Sequence, residues 1–287
     1  MPAPRELRQR IRSVTSTKQI TKAMELVSAS RMRRATEATL ANRPYATQLE
    51  VMVQRIISSS SDQPLSHPLL EEQKGDKTLL IVIASDRGQA GAYNSNLGKL
   101  ASQFASDEKA AGRTVTSITL GKKAEQAMSK AGIDVLQRFP LPSGQIELSD
   151  MHALNRYVVE RFLHHGISKV SVLYTEFHSM LIQKAVIQPL LPLTPPNPYP
   201  ASGELIFEPD PLTVLSELLP YLVEIRLFHS VLEAGASEHS ARRMAMKSAT
   251  DNANSIIDRL TLTYNRLRQS AITQEIAEIT SGAAALE

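Results

Sequence analysis

Residues 246–271 read MKSATDNANSIIDRLTLTYNRLRQSA. Within them Met246, Thr250, Ala253, Ile257, Leu260, Tyr264, Leu267 and Ala271 recur at alternating steps of four and three. That spacing draws one narrow seam along an α-helix, the width a single partner helix covers. Its residues are small or medium, so the partner approaches closely. The natural partner is the stretch from Pro4 to Ile57, rich in good helix formers. There Leu7, Ile11 and Val14 begin a similar spacing that Lys18, Thr21 and Glu25 continue in polar form. A second stripe runs Ile20, Met24, Val27, and a third Tyr45, Leu49, Met52, Ile56. Pro44 is expected to kink or loosen one turn. Some 50 residues in one helix reach about 75 Å, which demands a partner helix rather than a compact core. The two segments lie at opposite ends of the chain, so an antiparallel coiled coil is expected.

Between them the period changes. Thr78-Leu79-Leu80-Ile81-Val82-Ile83-Ala84 is a continuous apolar run, as in a parallel strand buried on both faces. Helix is expected from Asn96 to Ala111 and from Lys122 to Ala131, the latter ended by Gly132. A further helix, capped by Ser149-Asp150, is expected to run to His165. Strands are expected at Val115–Leu120, Ile133–Phe139, Val170–Tyr174 and Lys184–Leu190. The alternation argues a Rossmann-like α/β domain of about five strands. Ser58 to Pro64 reads as a loop, and the proline-rich stretch Leu191 to Gly203 as an extended linker. Pro220 is expected to divide a short helix from the long one. The fold class is therefore α/β with long helices, in three parts: 1–57, an N-terminal coiled-coil helix; 76–192, the central domain; and 209–287, a C-terminal coiled-coil helix.

Composition narrows the function. The 287 residues contain no Cys and no Trp. Disulfides, thiolate catalysis and zinc–thiolate sites are thereby excluded. No run of about 18 apolar residues offers a membrane span. The start, Met1 to Leu7, has no apolar signal region, so a cytoplasmic protein is expected. The net charge is +3 overall but +7 over residues 1–57. A basic helix suits an acidic partner, anionic lipid or nucleic acid. Nucleic acid is disfavoured because only Tyr45 supplies an aromatic in that helix.

Asp86-Arg87-Gly88-Gln89-Ala90-Gly91 follows the first strand, where α/β proteins often hold phosphates. It matches neither the dinucleotide fingerprint nor the phosphate loop, and a tight turn is the expected role. The seven His are scattered, and the adjacent His164 and His165 point to different helix faces. No catalytic residue, cofactor or metal site is expected.

Three segments carry a resemblance. The stretch Ile11 to Val27, IRSVTSTKQITKAMELV, resembles the N-terminal helix of F-type ATP synthase gamma subunits. The stretch Ile272 to Ala285, ITQEIAEITSGAAA, is similar to that family's C-terminal signature, and Ser237 to Ala253 is similarly close. Ser85 to Asn94 resembles the family's Asp-Arg-Gly-Leu-Cys-Gly-Gly turn, departing from it at Gln89, Ala90 and Ala92. The likeness is to the bacterial type, without the chloroplast regulatory insertion.

The resemblance implies a non-catalytic rotor shaft that couples ion flow through a membrane ring to ATP synthesis or hydrolysis at the beta subunits. It implies alpha, beta, epsilon and c-ring partners, and a peripheral place on the cytoplasmic face of the bacterial plasma membrane. It also implies residue roles. Met24 lies near the acidic lever loop of beta. Arg268 and Gln269 meet the beta catch region, and Arg242, Thr273 and Glu275 support that contact. Phe207, Glu208 and Asp210 belong to the foot beside the ring and epsilon. The competing readings are a basic coiled-coil scaffold, a nucleic-acid-binding protein, and an α/β enzyme with helical extensions.

Overall fold

The computed structural model describes residues 4–59, 66–142, 144–193 and 207–284. Its elements, in chain order, are α1 (Pro4–Ser59), β1 (Lys77–Ile83), α2 (Tyr93–Ala110), β2 (Thr114–Leu120), α3 (Lys122–Ala131), β3 (Asp134–Phe139), α4 (His152–His164), β4 (Ile167–Phe177), β5 (Gln183–Leu191) and α5 (Pro211–Ala284). The expected linker from Leu191 to Gly203 and the loop after Ser59 lie largely outside the described residues. The chain divides into two compact units, Met1–Ser28 with Arg243–Glu287, and Ala29–Arg242.

In the first unit the two long helices pair. On α5 the seam is the one its spacing drew: Met246, Thr250 and Ala253 are buried, and Ile257, Leu260, Tyr264 and Leu267 half-buried. Ala271 is exposed and off the seam. On α1 the buried line is Leu7, Thr21 and Ser28, with Ile11, Val14 and Lys18 half-buried. The threonine hydroxyls of Thr21 and Thr250 meet at 2.8 Å. The Arg8 guanidinium lies 5.5 Å from the centroid of the Tyr264 ring. Rising numbers on one helix thus meet falling numbers on the other, so the pair is antiparallel. The Ile20–Val27 stripe is not a packing seam: these two residues are 59% and 52% exposed. A hydroxyl pair and small side chains bring the helices together on the adjacent face, turning the larger aliphatics outward.

The second unit is built on a five-stranded sheet of order β3-β2-β1-β4-β5. β1, β2, β3 and β4 are parallel, and β5 returns antiparallel to β4. The mixed sheet arises because Ser179 and Ile182 close a tight hairpin, too short for a parallel crossover. β1 is buried on both faces, as its unbroken apolar run requires. Leu79, Ile81 and Ile83 face a core with α4, α1 and α5. Leu80, Val82 and Ala84 face a second core with α2 and α3. In this unit Arg43 pairs with Glu233 at 3.2 Å, Arg226 with Glu50 at 2.9 Å, and the hydroxyls of Tyr45 and Tyr221 meet at 2.8 Å. Of the expected third stripe on α1, Leu49 and Ile56 are buried, whereas Tyr45 and Met52 are exposed.

Two expectations are corrected here. Pro220 does not end a helix; α5 runs through it. A proline inside a helix costs about 3 kcal/mol. Leu215, Leu219, Leu222 and Val223 on either side are all buried in the same core, and each is worth about 1.5–3 kcal/mol. The packing therefore outweighs the lost bond, and the Asn155 amide donates to the Pro220 carbonyl at 3.1 Å. The cap of α4 is also different. Glu147 and Asp150 form a reciprocal box around a 3-10 turn, Leu148–Met151, and the α-helix begins after it. α3 follows expectation, closing on Gly132 at φ 68°.

Candidate functional site

Exposed helix faces form the first candidate surface. Met24 is half-buried on α1, one turn from the outward-facing Ile20 and Val27. Near the other terminus every residue from 268 to 281 is exposed. Arg268, Gln269, Thr273 and Glu275 therefore stand free of the fold's own packing, apart from the Thr273 hydroxyl, which donates to the Gln269 carbonyl at 3.0 Å. Among them Ile272, Ile276 and Ile279 are 47%, 57% and 71% exposed. At steps of four and three they line up as an apolar stripe on one face of α5. Nothing in the described residues covers it.

The foot residues have structural roles of their own. Phe207 packs against the main core. Asp210 is the N-cap of α5: one carboxylate oxygen accepts the Leu212 and Thr213 N–H groups at 3.0 Å, and the other the Thr213 hydroxyl at 2.6 Å. Pro211 then fills the first helical position, where its missing N–H is harmless. The Thr213 hydroxyl bond, followed by the backbone bonds, holds the Asp210 carboxyl below its ordinary pKa. Asp-Pro ahead of an apolar run is the sequence signal for such a cap. Glu208 is exposed.

The turn after β1 is the second feature. The Ser85 hydroxyl donates to the Arg87 carbonyl at 2.6 Å, and the Ser85 N–H to the Asn94 side chain at 3.3 Å. The Asp86 carboxylate accepts the Lys122 N–H at 3.0 Å, at the start of α3. Gln89 and Gly91 adopt φ of 63° and 57°. The expected tight turn is therefore present, its polar groups bonded within the turn, to the start of α3 and to α5.

Arg242 lies over this turn rather than in solvent. It is 8% exposed, pairs with Glu238 at 2.8 Å, and donates to the carbonyls of Arg87 and Gly88 at 3.4 Å. Burial raises the Glu238 pKa, and Arg242 opposes that rise. His239, its neighbour, is pushed down to about 4, first by burial and then by the charges of Arg242, Arg31 and Arg34. Arg242 is named by the family resemblance alone, and neither Glu238, His239 nor Tyr93 is expected from the sequence to be functional. Glu238 pairs with Arg242 one helical turn away, but the turn that Arg242 covers and the Ala234 carbonyl that Tyr93 reaches are distant in sequence.

The His239 shift carries a pH prediction. Its folded pKa is depressed, so the unfolded chain binds the proton first as pH falls. The contribution of neutral, buried His239 is full above about pH 6.5 and is lost down to about pH 4, on the order of 3 kcal/mol. Urea unfolding of the wild type and of His239→Gln across pH 7 to 4 should show the variant's stability falling less. Parallel curves would place the acid sensitivity elsewhere.

Comparison with known proteins places these features in one context. Residues 3–286 match the ATP synthase family model. The chain is 41% identical over 289 residues to the ATP synthase gamma chain of Pelotomaculum thermopropionicum, covering 100% of both. It is 42% identical over 288 residues to that of Roseiflexus castenholzii, covering 100% of this chain and 99% of the relative. In fold it is similar to a chain of the Euglena gracilis mitochondrial ATP synthase in rotational state 3, with a TM-score of 0.67, 19% identity, and coverage of 99% and 94%. A chain from the central stalk and c-ring structure of the Tetrahymena thermophila mitochondrial enzyme matches with a TM-score of 0.61, 20% identity, and coverage of 80% and 99%. No described helix is long and apolar enough to cross a membrane. Matched over residues 3–286 by the family model and along its whole length by relatives 41–42% identical, the chain belongs to the ATP synthase gamma chain family.

Proposed function

We propose that this chain is the central rotor shaft of an F-type ATP synthase. Ion flow through the membrane ring turns it, and its asymmetric helix pair biases each beta subunit in turn toward a different nucleotide state. Physically it is an effector that moves: one surface makes different contacts with three copies of a subunit, and their affinities differ accordingly. The chain itself is non-catalytic and works with alpha, beta, epsilon and the c-ring, at the cytoplasmic face of a bacterial membrane. The observation that carries this reading is the uncovered apolar stripe Ile272, Ile276, Ile279 on α5, in a chain that the ATP synthase family model matches over residues 3–286. Such a stripe suits a tip that turns inside a partner's collar.

In this reading Met24, Arg268, Gln269, Thr273 and Glu275 face the hexamer directly. Arg242 acts from within the fold, and Phe207, Glu208 and Asp210 lie toward the ring and epsilon. The proposed functional parts remain 1–57, 76–192 and 209–287.

Met24→Lys tests the reading in the assembled complex. Lys is as good a helix former as Met, so α1 survives. A new ammonium beside acidic groups of beta adds a charge-assisted bond worth about 1–3 kcal/mol at some rotor angles only. A rotor needs nearly even contact energies around the turn, and each added well slows the next step about tenfold per 1.4 kcal/mol. ATP hydrolysis and ion pumping should both be measured. The expected result is intact assembly with reduced pumping per ATP. Wild-type pumping per ATP would remove Met24 from the interface.

A further inference from the structure

Open α/β sheets bind ligands outside the carboxyl ends of their parallel strands, where the chain order reverses. In the order β3-β2-β1-β4-β5 that point lies between β1 and β4. Two loops leave it: the Ser85–Asn94 turn after β1, and the hairpin at Ser179–Ile182 after β4. Three residues of α5 between them bind the two loops: Ala234 and Arg242 the first, Ser240 the second. The Tyr93 hydroxyl, at the end of the first loop, donates to the Ala234 carbonyl at 3.2 Å in a buried position. The Ser240 hydroxyl donates to the Met180 carbonyl at 2.8 Å in the second loop, and accepts from the Gln183 amide at 3.3 Å. The Arg242 guanidinium reaches the Arg87 and Gly88 carbonyls.

We infer that the Ala234–Arg242 stretch of α5 is the resident occupant of this crevice and locks the sheet to the helix, so that the two move as one body. The geometry fits a lock better than a vacant ligand site. The backbone carbonyls of the first loop point at a guanidinium of the same chain, whereas a phosphate cradle would present N–H groups. The Asp86 carboxylate is spent on the start of α3. Ala234, Ala236 and Ser237 are small and buried, so this stretch of the helix packs closely. The consequence for rotation rests on the rotor reading above: a sheet clamped at two loops turns with α5 rather than lagging behind it.

The test uses the assembled complex carrying Tyr93→Phe with Ser240→Ala, which removes one bond to each loop without deleting a charge. Amide exchange at residues 85–94 and 178–182 should rise about tenfold, with exchange elsewhere in α2 and β1 unchanged. Pumping per ATP hydrolysed should fall in the same complex. Unchanged exchange at both loops overturns the lock. Faster exchange with undiminished pumping overturns its mechanical role. A chain absent from the complex would count against the rotor reading, and exchange on the free full-length variant would then still decide the lock.

Discussion

Replacing Gly121 with alanine is expected to cost about 3–5 kcal/mol, a large share of the stability of a typical domain. Gly121 sits between β2 and α3 at φ 89° and ψ 146°, a region open essentially to glycine alone. A Cβ there would lie 2.2 Å from the Ala84 carbonyl oxygen and 3.3 Å from the Ser85 carbonyl carbon. Both atoms are backbone at the end of β1, the central strand, and neither can give way without disturbing its carboxyl end. The Ala84 N–H donates to the Leu120 carbonyl at 3.0 Å, and the Lys123 N–H to the Ser85 carbonyl at 2.9 Å. A shift would loosen the turn that Arg242 grips. Two comparisons separate the causes. Gly112 has φ 77° but open space around its Cβ, so alanine there should cost only the conformational part, about 1 kcal/mol. Gly88 has neither restriction, and alanine there should be near neutral. Urea midpoints for the three variants check the order. Equal effects at 112 and 121 would show that the close approach to Ala84 does not matter.

Arg242→Ala should cost about 3–5 kcal/mol, for a different reason. The side chains of Arg242 and Glu238 are 10% and 12% exposed and meet at 2.8 Å. Removing the cation strands a carboxylate in a place where burial already raises its pKa. An unpaired buried charge is costly, whereas a neutral pair of similar shape often is not. The double variant Arg242→Met with Glu238→Gln should therefore recover most of the loss. The stability defect of Arg242→Ala should also narrow as pH falls from 8 to 5. Glu238 then takes up a proton in the folded variant, and His239, freed of its strongest neighbouring charge, resists protonation less. Unfolding of the four members of the cycle measures the coupling. Simple additivity would mean that the ion pair contributes nothing beyond its separate contacts.

The regular elements were legible because their signals are local. The seam from Met246 to Leu267 needs only a helical period, and the run from Leu79 to Ala84 is what a strand covered on both faces requires. Gly132 ends α3 because glycine alone adopts the left-handed cap without penalty. The failures share a cause as well. Pro220 breaks an isolated helix, but four buried aliphatic neighbours keep it helical here. Ile20 and Val27 look like a seam to any count of apolar residues. Which of two stripes meets the partner helix is decided by the fit of both surfaces.

The cluster around Arg242 shows the same division. Its sequence segment is visible, as is the turn at Asp86 to Gly91. That one rests on the other is not visible, because 154 residues separate Arg242 from Gly88 and no period links them. By itself, the sequence determined the long helices, the α/β layer between them, the absence of cysteine chemistry and the family. Each of these is written in neighbouring residues or in whole-chain likeness. Only the tertiary structure decided which helix face is buried, that α5 passes unbroken through Pro220, and that Arg242 grips the turn after β1 from inside the fold. Those outcomes depend on contacts between distant segments, whose energies outweigh local preference.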